Sequence, residues 1–455
     1  MKAKWRKSGL QHLDPTTRSG HPVRAKCRMI RGPLRPRPER GLFSGVARRY
    51  VAGMGRSFVV RAAHAFDGQQ FLPGGAQVHV DGDRIVTVRP WDAPLPDGQR
   101  VVDRPFATVL PGLIDTHVHL VGGGEPDALT LDFGRSAAER EQVIRRSLLA
   151  QVRAGVTTVR DLGDNRFAVL DRTVGEDESS VLGAGPPITS ANGHCAALGG
   201  EVSGRNGLRA AVAIRHDHGA QIVKLVVSGG AMTAGSDLLR LQFDVADVRV
   251  VVDEAHRRGL PVTAHAHPVS AVEVCLAAGV DAIEHCTCLT TTGIDTPNAV
   301  IAALAARQIQ VCPTFGRLPT LPPSPQAIEV MRRTGMTLQA RFAQVGRLHR
   351  AGVPLLAGSD GGIHPAKPHG VLAYAVDELV KSGLPADAAV AAATSGAAAA
   401  CGLAGTTGRL RPGMVADLVI VDGDVRRDVL ALTRIRDVVL RGRFVVSDAG
   451  SPAPS

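Results

Sequence analysis

The segment Pro111–Leu120 contains two histidines, His117 and His119, two residues apart after a Pro-Gly turn. In an extended chain alternate side chains point to the same side, so both imidazoles are expected on one face of a strand. Two imidazoles at a strand end can bind one divalent ion, because borderline-soft nitrogen donors suit such ions. The alternative is a polar strand end that carries two solvated histidines.

Further candidate ligands stand in or directly after four other predicted strands. They are Lys224 in 221–227, His265 and His267 in 262–267, His285 after 280–284, and Asp360 after 353–358. If these strands are parallel and close into a barrel, their carboxyl ends meet at one face. The side chains are then expected to converge on one site.

Lys224 is the most informative of these residues because it stands among aliphatic neighbours. An uncompensated ammonium inside a strand costs several kcal/mol, so the group must be neutralised, paired or modified. A neutral amine can add carbon dioxide, and the resulting N6-carboxylate can bridge two metal ions. The alternative is a lysine that reaches the rim of the site or pairs with an acid.

Four histidines, an aspartate and a lysine carboxylate would together hold two divalent ions. Two ions about 3.5–4 Å apart can share one water, lower its pKa and clamp a substrate oxygen. Asp360 would bind one ion, take the proton from the bridging hydroxide as general base, and return it to a leaving amine as general acid.

The elements that must position these residues alternate strand and helix between residues 109 and 404. Strands are predicted around His117 and at 156–160, 186–190, 221–227, 261–266, 280–284, 309–314 and 353–358. Helices are predicted at 137–153, 207–218, 244–258, 269–278, 296–307 and 338–350. Eight such units are the number that closes a TIM barrel, a (β/α)8 fold of the α/β class. A doubly wound open sheet is the alternative, but no Gly-x-Gly-x-x-Gly follows the first strand.

The two flanking segments, 57–108 and 405–448, have short alternating strand patterns separated by turns. Neither is long enough to bury a core of its own. We expect them to combine into one small β-sandwich domain, with the barrel domain of residues 109–404 inserted between them.

The net charge of +11 is concentrated in residues 1–56, which contain 15 Lys or Arg and two acids. We expect a disordered basic extension there and a short tail at 449–455. A nucleic-acid arm, a targeting segment, or translation upstream of a true start at Met54 could explain the extension. The folded body is nearly neutral and is not expected to bind nucleic acid.

Seven cysteines without a Cys-x-x-Cys pair do not indicate a disulfide framework, and no apolar run is long enough to span a membrane. We therefore expect a cytoplasmic protein that does not contact a membrane.

In combination, the motifs resemble those of the amidohydrolase superfamily, and within it the imidazolonepropionase-like and prolidase-like members. The motifs are Pro-Gly-Leu-Ile-Asp-x-His-x-His (111–119), Gly-Val-Thr-Thr-Val-Arg-Asp-Leu-Gly (155–163), Val-Lys-Leu-Val-Val-Ser-Gly-Gly (223–230), Ala-His-Ala-His (264–267), Ile-Glu-His (283–285), Gly-Ser-Asp (358–360) and Pro-Gly-Met-Val-Ala-Asp-Leu-Val (412–419). The resemblance extends from Ser57 to Val446.

The resemblance implies a role for each matching residue. His117, His119 and Asp360 are implied as ligands of the more buried ion, His265 and His285 as ligands of the second, and Lys224 as the carboxylated bridge. His194 and His267 are implied as substrate contacts, although Asn192 and Cys195 replace glycines beside His194. The expected metal is zinc, with manganese, iron or cobalt as alternatives.

Two residue groups are predicted to support the structure. Arg160 and Asp161 are expected to form a buried pair. Asp115 is expected to brace the strand turn or a ligand histidine.

The predicted function is hydrolysis of the carbon–nitrogen bond of a small molecule, a dipeptide or an N-acyl amino acid, by a binuclear enzyme. Alternatives are opening of a cyclic amide or lactone and deamination by a mononuclear member, which Lys224 disfavours. A catalytically inactive interaction protein is a further alternative, which the complete ligand set disfavours. A homo-oligomer is possible.

Overall fold

The computed structural model describes residues 57–447. Its strands are β1 (Phe58–Phe66), β2 (Phe71–Leu72), β3 (Ala76–Asp81), β4 (Arg84–Pro90), β5 (Arg100–Pro111), β6 (Leu113–Val118), β7 (Val156–Asp161), β8 (Ser180–Gly183), β9 (Thr189–Ser190), β10 (Glu201–Val202), β11 (Val223–Val226), β12 (Val262–Pro268), β13 (Ala282–Thr290), β14 (Gly293–Ile294), β15 (Gln310–Cys312), β16 (Leu418–Asp422), β17 (Ile435–Leu440) and β18 (Arg443–Ser447).

Its helices are α1 (Ala128–Asp132), α2 (Ala137–Arg153), α3 (Gly204–Asp217), α4 (Val245–Arg257), α5 (Val269–Ala278), α6 (Asn298–Ala306), α7 (Pro325–Thr334), α8 (Leu338–Arg350), α9 (Leu372–Lys381), α10 (Ala386–Ala391) and α11 (Ser395–Ala400). Two 3-10 helices cover Ala196–Leu198 and Val429–Thr433. No helix within residues 57–447 is long and apolar enough to cross a membrane. The predicted extension at 1–56 and the tail at 449–455 lie outside the described residues.

The parallel strands of the middle segment pair in chain order, which is the arrangement of a TIM-barrel-type fold. β6 pairs with β7 and β7 with β8, while β11 pairs with β12, β12 with β13 and β13 with β15. A bridge between Ile188 and Leu225 connects the two groups on one side. On the other side, Leu355 bridges to Val311, and Gly361 bridges to Val118.

Two of the eight predicted strands are less regular than expected. The third is predicted at 186–190, but the structure has β8 at Ser180–Gly183 and then the two-residue β9. Pro186 and Pro187 lie between them, and proline cannot donate to a strand ladder. The eighth, predicted at 353–358, forms single bridges and backbone hydrogen bonds, such as Thr116 N to Ala357 O at 3.2 Å.

The terminal segments contribute strands to one sheet, in the order β18-β17-β16-β5-β1-β3-β4, with β2 paired to β1. β5 and β16 join the two segments, because Ala107 to Pro111 pair antiparallel with Leu418 to Asp422. This sheet has its own buried cluster of residues, which includes Val60, Val78 and Ile420. A two-layer sandwich and the division into two domains remain predictions.

Helix α2 shows how the local sequence defines the elements around the barrel. Its capping box joins Ser136 and Glu139: the Ser136 side chain accepts from Glu139 N, and Glu139 accepts from Ser136 N. The helix is followed by Gly155 at a φ of 77°, which glycine adopts without strain before β7 begins. Ile144 and Leu148 of α2 pack in a buried cluster with Val156 and Val159 of β7.

Candidate metal centre

Three predicted ligands converge at the carboxyl end of β6. The Nε2 atoms of His117 and His119 each lie 3.4 Å from Oδ1 of Asp360. Potential ligand atoms of the three residues all lie within 4.8 Å of one another, and all three side chains are buried. Asp360 is held beside β6 because its backbone N donates to His117 O at 2.7 Å.

The outer nitrogens of these histidines are held by acceptors. His117 Nδ1 lies 2.8 Å from Oε2 of Glu284, and His119 Nδ1 lies 3.0 Å from the carbonyl oxygen of Gly163. A carbonyl oxygen only accepts, and an ionised carboxylate only accepts, so each Nδ1 carries the proton and donates it. The lone pair of each Nε2 therefore points toward Asp360.

This donor set fits a cation. Two nitrogen lone pairs and a carboxylate oxygen converge, and these atoms repel one another unless a positive charge lies among them. Burial and the charge of Lys224 lower the pKa of His117 to about 4, despite the opposing carboxylates. Burial also acts to lower the pKa of His119, but the hydrogen bond and charge of Asp360 outweigh it and raise this pKa. The lowered pKa keeps His117 in the neutral form that a metal ligand needs.

A second group of histidines lies beside the first. Potential ligand atoms of His265, His267 and His285 are within 4.8 Å of one another, and the ring centroids of His117 and His285 are 5.5 Å apart. His267, which is predicted to contact substrate, is thus as close to His265 and His285 as a ligand would be. Burial lowers the pKa of all three below the ordinary value, so the imidazoles are neutral, as metal ligands must be.

Threonine hydroxyls orient two of these rings. His285 Nδ1 lies 2.8 Å from Thr314 Oγ1, whose own proton is donated to the carbonyl oxygen of Pro313. His267 Nδ1 likewise lies 3.1 Å from Thr287 Oγ1, which donates to His267 O. Each hydroxyl has one proton, so each Nδ1 is the donor and each Nε2 keeps its lone pair. In His265 the roles of the two ring nitrogens are exchanged, because it is Nε2 that lies 3.0 Å from the acceptor, Gly229 O.

Lys224 lies in β11, and its side chain is buried and lines the same cavity as the two groups. Burial lowers the pKa of its amine, while the charges of Glu284 and Asp360 act in the opposite direction. A lowered pKa increases the fraction of neutral amine, the form that reacts with carbon dioxide. Carboxylation of Lys224 and its role as a bridge remain predictions.

Strained backbone accompanies the predicted ligands. His285, Thr314 and Asp360 adopt left-handed conformations, with φ values of 64°, 54° and 56°. Such conformations cost about 1–3 kcal/mol in residues other than glycine and are kept where the surroundings enforce them, often at functional sites. Their position at the ends of strands six, seven and eight supports a functional role for this face.

The two groups line a cavity of about 280 Å³. His194, the other predicted substrate contact, also lines it, and its ring centroid lies 4.8 Å from that of His265. Its Nδ1 is 2.8 Å from Thr233 Oγ1, and burial lowers its pKa to about 4. The structure thus brings all eight predicted site residues to one cavity: His117, His119, His194, Lys224, His265, His267, His285 and Asp360.

The predicted pair of Arg160 and Asp161 is wrong. Successive residues of β7 face opposite sides, so the two side chains have different partners. Arg160 Nη2 lies 3.3 Å from Oε1 of Glu284, whereas Asp161 accepts from Leu120 N at 2.7 Å. Both residues are buried and support the strands that bear the ligands.

Asp115 braces two strand ends, in agreement with the prediction. Its carboxylate accepts from His117 N at 3.2 Å, from Ser359 N at 2.9 Å and from the Ser359 hydroxyl at 2.5 Å. Burial raises the pKa of Asp115 to about 6, and the bonds from Ser359 oppose the increase. The first and eighth strands are therefore tied together directly beside His117 and Asp360.

Glu284 and Lys367 are two residues of the site for which the sequence predicts no role. Glu284 contacts His117, Arg160 and the Thr263 hydroxyl, the last at 2.6 Å. Its position between Ile283 and His285 could have indicated a structural role, since a carboxylate among buried strand residues needs partners. Lys367 donates to Thr314 O at 2.8 Å and Ser359 O at 2.7 Å, and nothing in its local sequence predicts this.

Comparison with known proteins supports one family. The model of the amidohydrolase family matches residues 108–445. A protein of Mycobacterium tuberculosis whose function is uncharacterised is 31% identical over 339 residues, which are 74% of this chain and 84% of that protein. Imidazolonepropionase of Symbiobacterium thermophilum is 27% identical over 426 residues, 83% of this chain and 91% of that enzyme.

Solved structures share the fold of this chain. The crystal structure of a Xaa-Pro dipeptidase with bound methionine in its active site superposes with a TM-score of 0.72 at 23% identity, and covers 85% of this chain and 99% of that one. This similarity supports the TIM-barrel-type fold. With the site geometry and the family match, it confirms the resemblance that the motifs predict. The chain belongs to the amidohydrolase family and is a metal-dependent hydrolase that acts on carbon–nitrogen bonds.

Proposed function

We propose that this enzyme is binuclear and hydrolyses the amide bond of a dipeptide or an N-acyl amino acid. His117, His119 and Asp360 would hold one ion, His265 and His285 the other, and Lys224, carboxylated at Nζ, would bridge them. The observation that carries the proposal is the presence of two separate donor groups and a buried lysine around one cavity. Zinc suits the mixture of imidazole and carboxylate donors, as do manganese, iron and cobalt.

Two bound ions would supply Lewis acidity for the attack of water on the amide carbonyl. The chain's own residues do the remaining work. Asp360 Oδ1 accepts the proton of the attacking water and then donates it to the leaving nitrogen. Its position supports this role, because Asp360 lines the cavity and its Oδ1 lies 3.4 Å from the Nε2 atoms of both His117 and His119. His194 and His267, which line the same cavity, would orient the substrate.

Opening of a cyclic amide is the second candidate, and the similarity to imidazolonepropionase over most of both chains favours it. A mononuclear deaminase is a weaker candidate, because a single ion would leave Lys224 buried without a function.

Release of amine from a library of dipeptides and N-acyl amino acids tests the proposal. We expect turnover of members of one class by the metal-loaded enzyme and loss of turnover in Asp360→Asn. Asp387→Asn, at the exposed start of α10, is a matched control that should retain full activity. Turnover of cyclic amides alone would favour the second candidate.

A further inference from the structure

A second cavity, of about 240 Å³, adjoins the metal centre. It shares five lining residues with the first cavity: His267, His285, Thr314, Arg317 and Lys367. A molecule bound at the metal centre can therefore extend into it, and residues after the seventh strand and on α8 shape this extension.

The wall of the second cavity is apolar. Phe315 follows the seventh strand, Met331 lies on α7, and Met336 and Leu338 lie at the start of α8. Methionine side chains adapt to irregular apolar shapes, and Phe315 is buried against Phe342 with ring centroids 5.6 Å apart. Such a wall suits a large aliphatic or aromatic side chain rather than a polar one.

Three cations and one acid surround this apolar space. Two of the cations donate hydrogen bonds to backbone carbonyl oxygens. Lys367 donates to Thr314 O and Ser359 O. Arg341 donates to Cys286 O at 3.3 Å and to Pro313 O at 3.1 Å. The acid, Glu378, accepts from Gly316 N at 2.7 Å. The space therefore has an excess of positive charge.

Arg317 is the remaining cation, and it lies where the two cavities meet. It is partly buried, and its Nη1 donates to Leu321 O at 2.9 Å. Within residues 57–447, no carboxylate pairs with it. A guanidinium has five donors and can bind a carboxylate through two parallel hydrogen bonds, so most of its capacity is available to a ligand.

We propose that Arg317 binds the free carboxylate of the substrate and that the second cavity binds the apolar side chain of the same amino acid. The substrate class is then an N-acyl amino acid or dipeptide whose carboxyl-terminal residue is large and apolar. This inference rests on the proposed function for its substrate class. It adds a specificity-determining residue and a side-chain subsite.

Calorimetric binding of N-acetyl-L-leucine and N-acetyl-L-leucinamide to the metal-loaded protein, carrying Asp360→Asn so that neither ligand is hydrolysed, tests the carboxylate contact. The two ligands differ only in the charge of one group. We expect the acid to bind roughly tenfold or more tightly than the amide, as a charge-assisted hydrogen bond allows. Arg317→Ala should abolish this difference, and Arg317→Lys should restore part of it. Arg333→Ala, an exposed arginine on α7, should leave it unchanged.

Comparison with N-acetylglycine tests the apolar subsite. Met336→Trp narrows the second cavity and should reduce the preference for the leucine ligand over the glycine ligand. A preference for acid over amide that persists in Arg317→Ala would overturn the assignment of Arg317, since the carboxylate would then bind elsewhere. Equal affinity of the Asp360→Asn protein with Arg317 intact for acid and amide would overturn it as well.

The binding measurements do not depend on turnover. Failure to hydrolyse any dipeptide or N-acyl amino acid, with the Arg317-dependent preference intact, would overturn the proposed function alone. Hydrolysis without such a preference would overturn this inference alone.

Discussion

Glu284 Oε2 accepts a hydrogen bond of 2.8 Å from His117 Nδ1, and both side chains are buried. Burial alone would raise the pKa of Glu284, but the charges of His117 and Arg160 hold it well below its usual range. The carboxylate is therefore ionised, fixes the His117 tautomer and directs the Nε2 lone pair toward Asp360. Glu284, which is outside the predicted ligand set, thus determines whether the predicted ligand His117 can bind a metal ion.

Glu284→Gln should weaken metal binding by about 10–100-fold, the usual effect of losing a partner of a ligand histidine. The amide of the introduced glutamine is uncharged and can donate a hydrogen bond to His117 as well as accept one. It therefore no longer fixes the tautomer of His117. Metal retained after dialysis against a graded series of chelator concentrations measures the effect. Glu178→Gln is the control, because Glu178 is equally buried but bonds to Arg145 and Arg172. Equal retention in Glu284→Gln and wild type would refute this role.

Gly163→Ala should displace His119 and reduce both metal content and activity. A Cβ at this position would lie 2.9 Å from Cε1 and 3.0 Å from Nδ1 of His119, closer than the ring can tolerate without moving. Gly207→Ala is the matched control, because the nearest heavy atom to its Cβ would be 3.9 Å away. Metal analysis of both purified variants checks this, and wild-type metal content in Gly163→Ala would show that the ring is free to shift.

Lys367→Met should lower kcat and reduce the free energy of unfolding by about 1–3 kcal/mol. The substitution removes the donor that bonds Ser359 O, directly before Asp360, and Thr314 O, directly after the seventh strand. Steady-state kinetics and urea unfolding measure the two effects. Lys381→Met, whose lysine is largely exposed and pairs with Asp377, should change neither. An unchanged kcat in Lys367→Met would show that Asp360 is positioned without it.

Asp417 should make stability depend on pH in a specific direction. Burial raises its pKa from 3.8 to about 6, although Arg441 N donates to it at 2.8 Å. The native state therefore binds more protons than the unfolded state between about pH 4 and 6. Stability must fall as pH rises through this window, by up to about 3 kcal/mol. Asp417→Asn removes the titration, so its stability relative to wild type should increase from pH 4 to 6. Parallel unfolding profiles for the two proteins would contradict this.

The strand-end residues could be predicted because chain-order pairing of parallel strands is enough to bring them together. His117 and Asp360 are far apart in sequence, yet the repeating strand–helix pattern implies that the first and eighth strands meet. Helix bounds such as 137–153 and 269–278 agree with α2 and α5, because capping residues and glycines mark their ends.

Other features depend on tertiary contacts that no local pattern indicates. Arg341 of α8 donates to carbonyl groups near His285, and Lys367 spans two loop backbones. Arg160 pairs with Glu284 rather than with Asp161 because successive side chains of β7 point to opposite faces. The two opposite charges stand next to each other in the sequence, which wrongly suggests that they pair. The break in the third strand at Pro186 and Pro187 could have been predicted from the missing N–H groups.

The metal content of the natively purified protein, together with the electron density of the Lys224 side chain in a high-resolution crystal structure, tests the central claim most directly. The account predicts close to two divalent ions per chain and a carboxylated Lys224, with Lys224→Ala losing metal and activity together. One ion per chain with an unmodified Lys224 would contradict the binuclear centre.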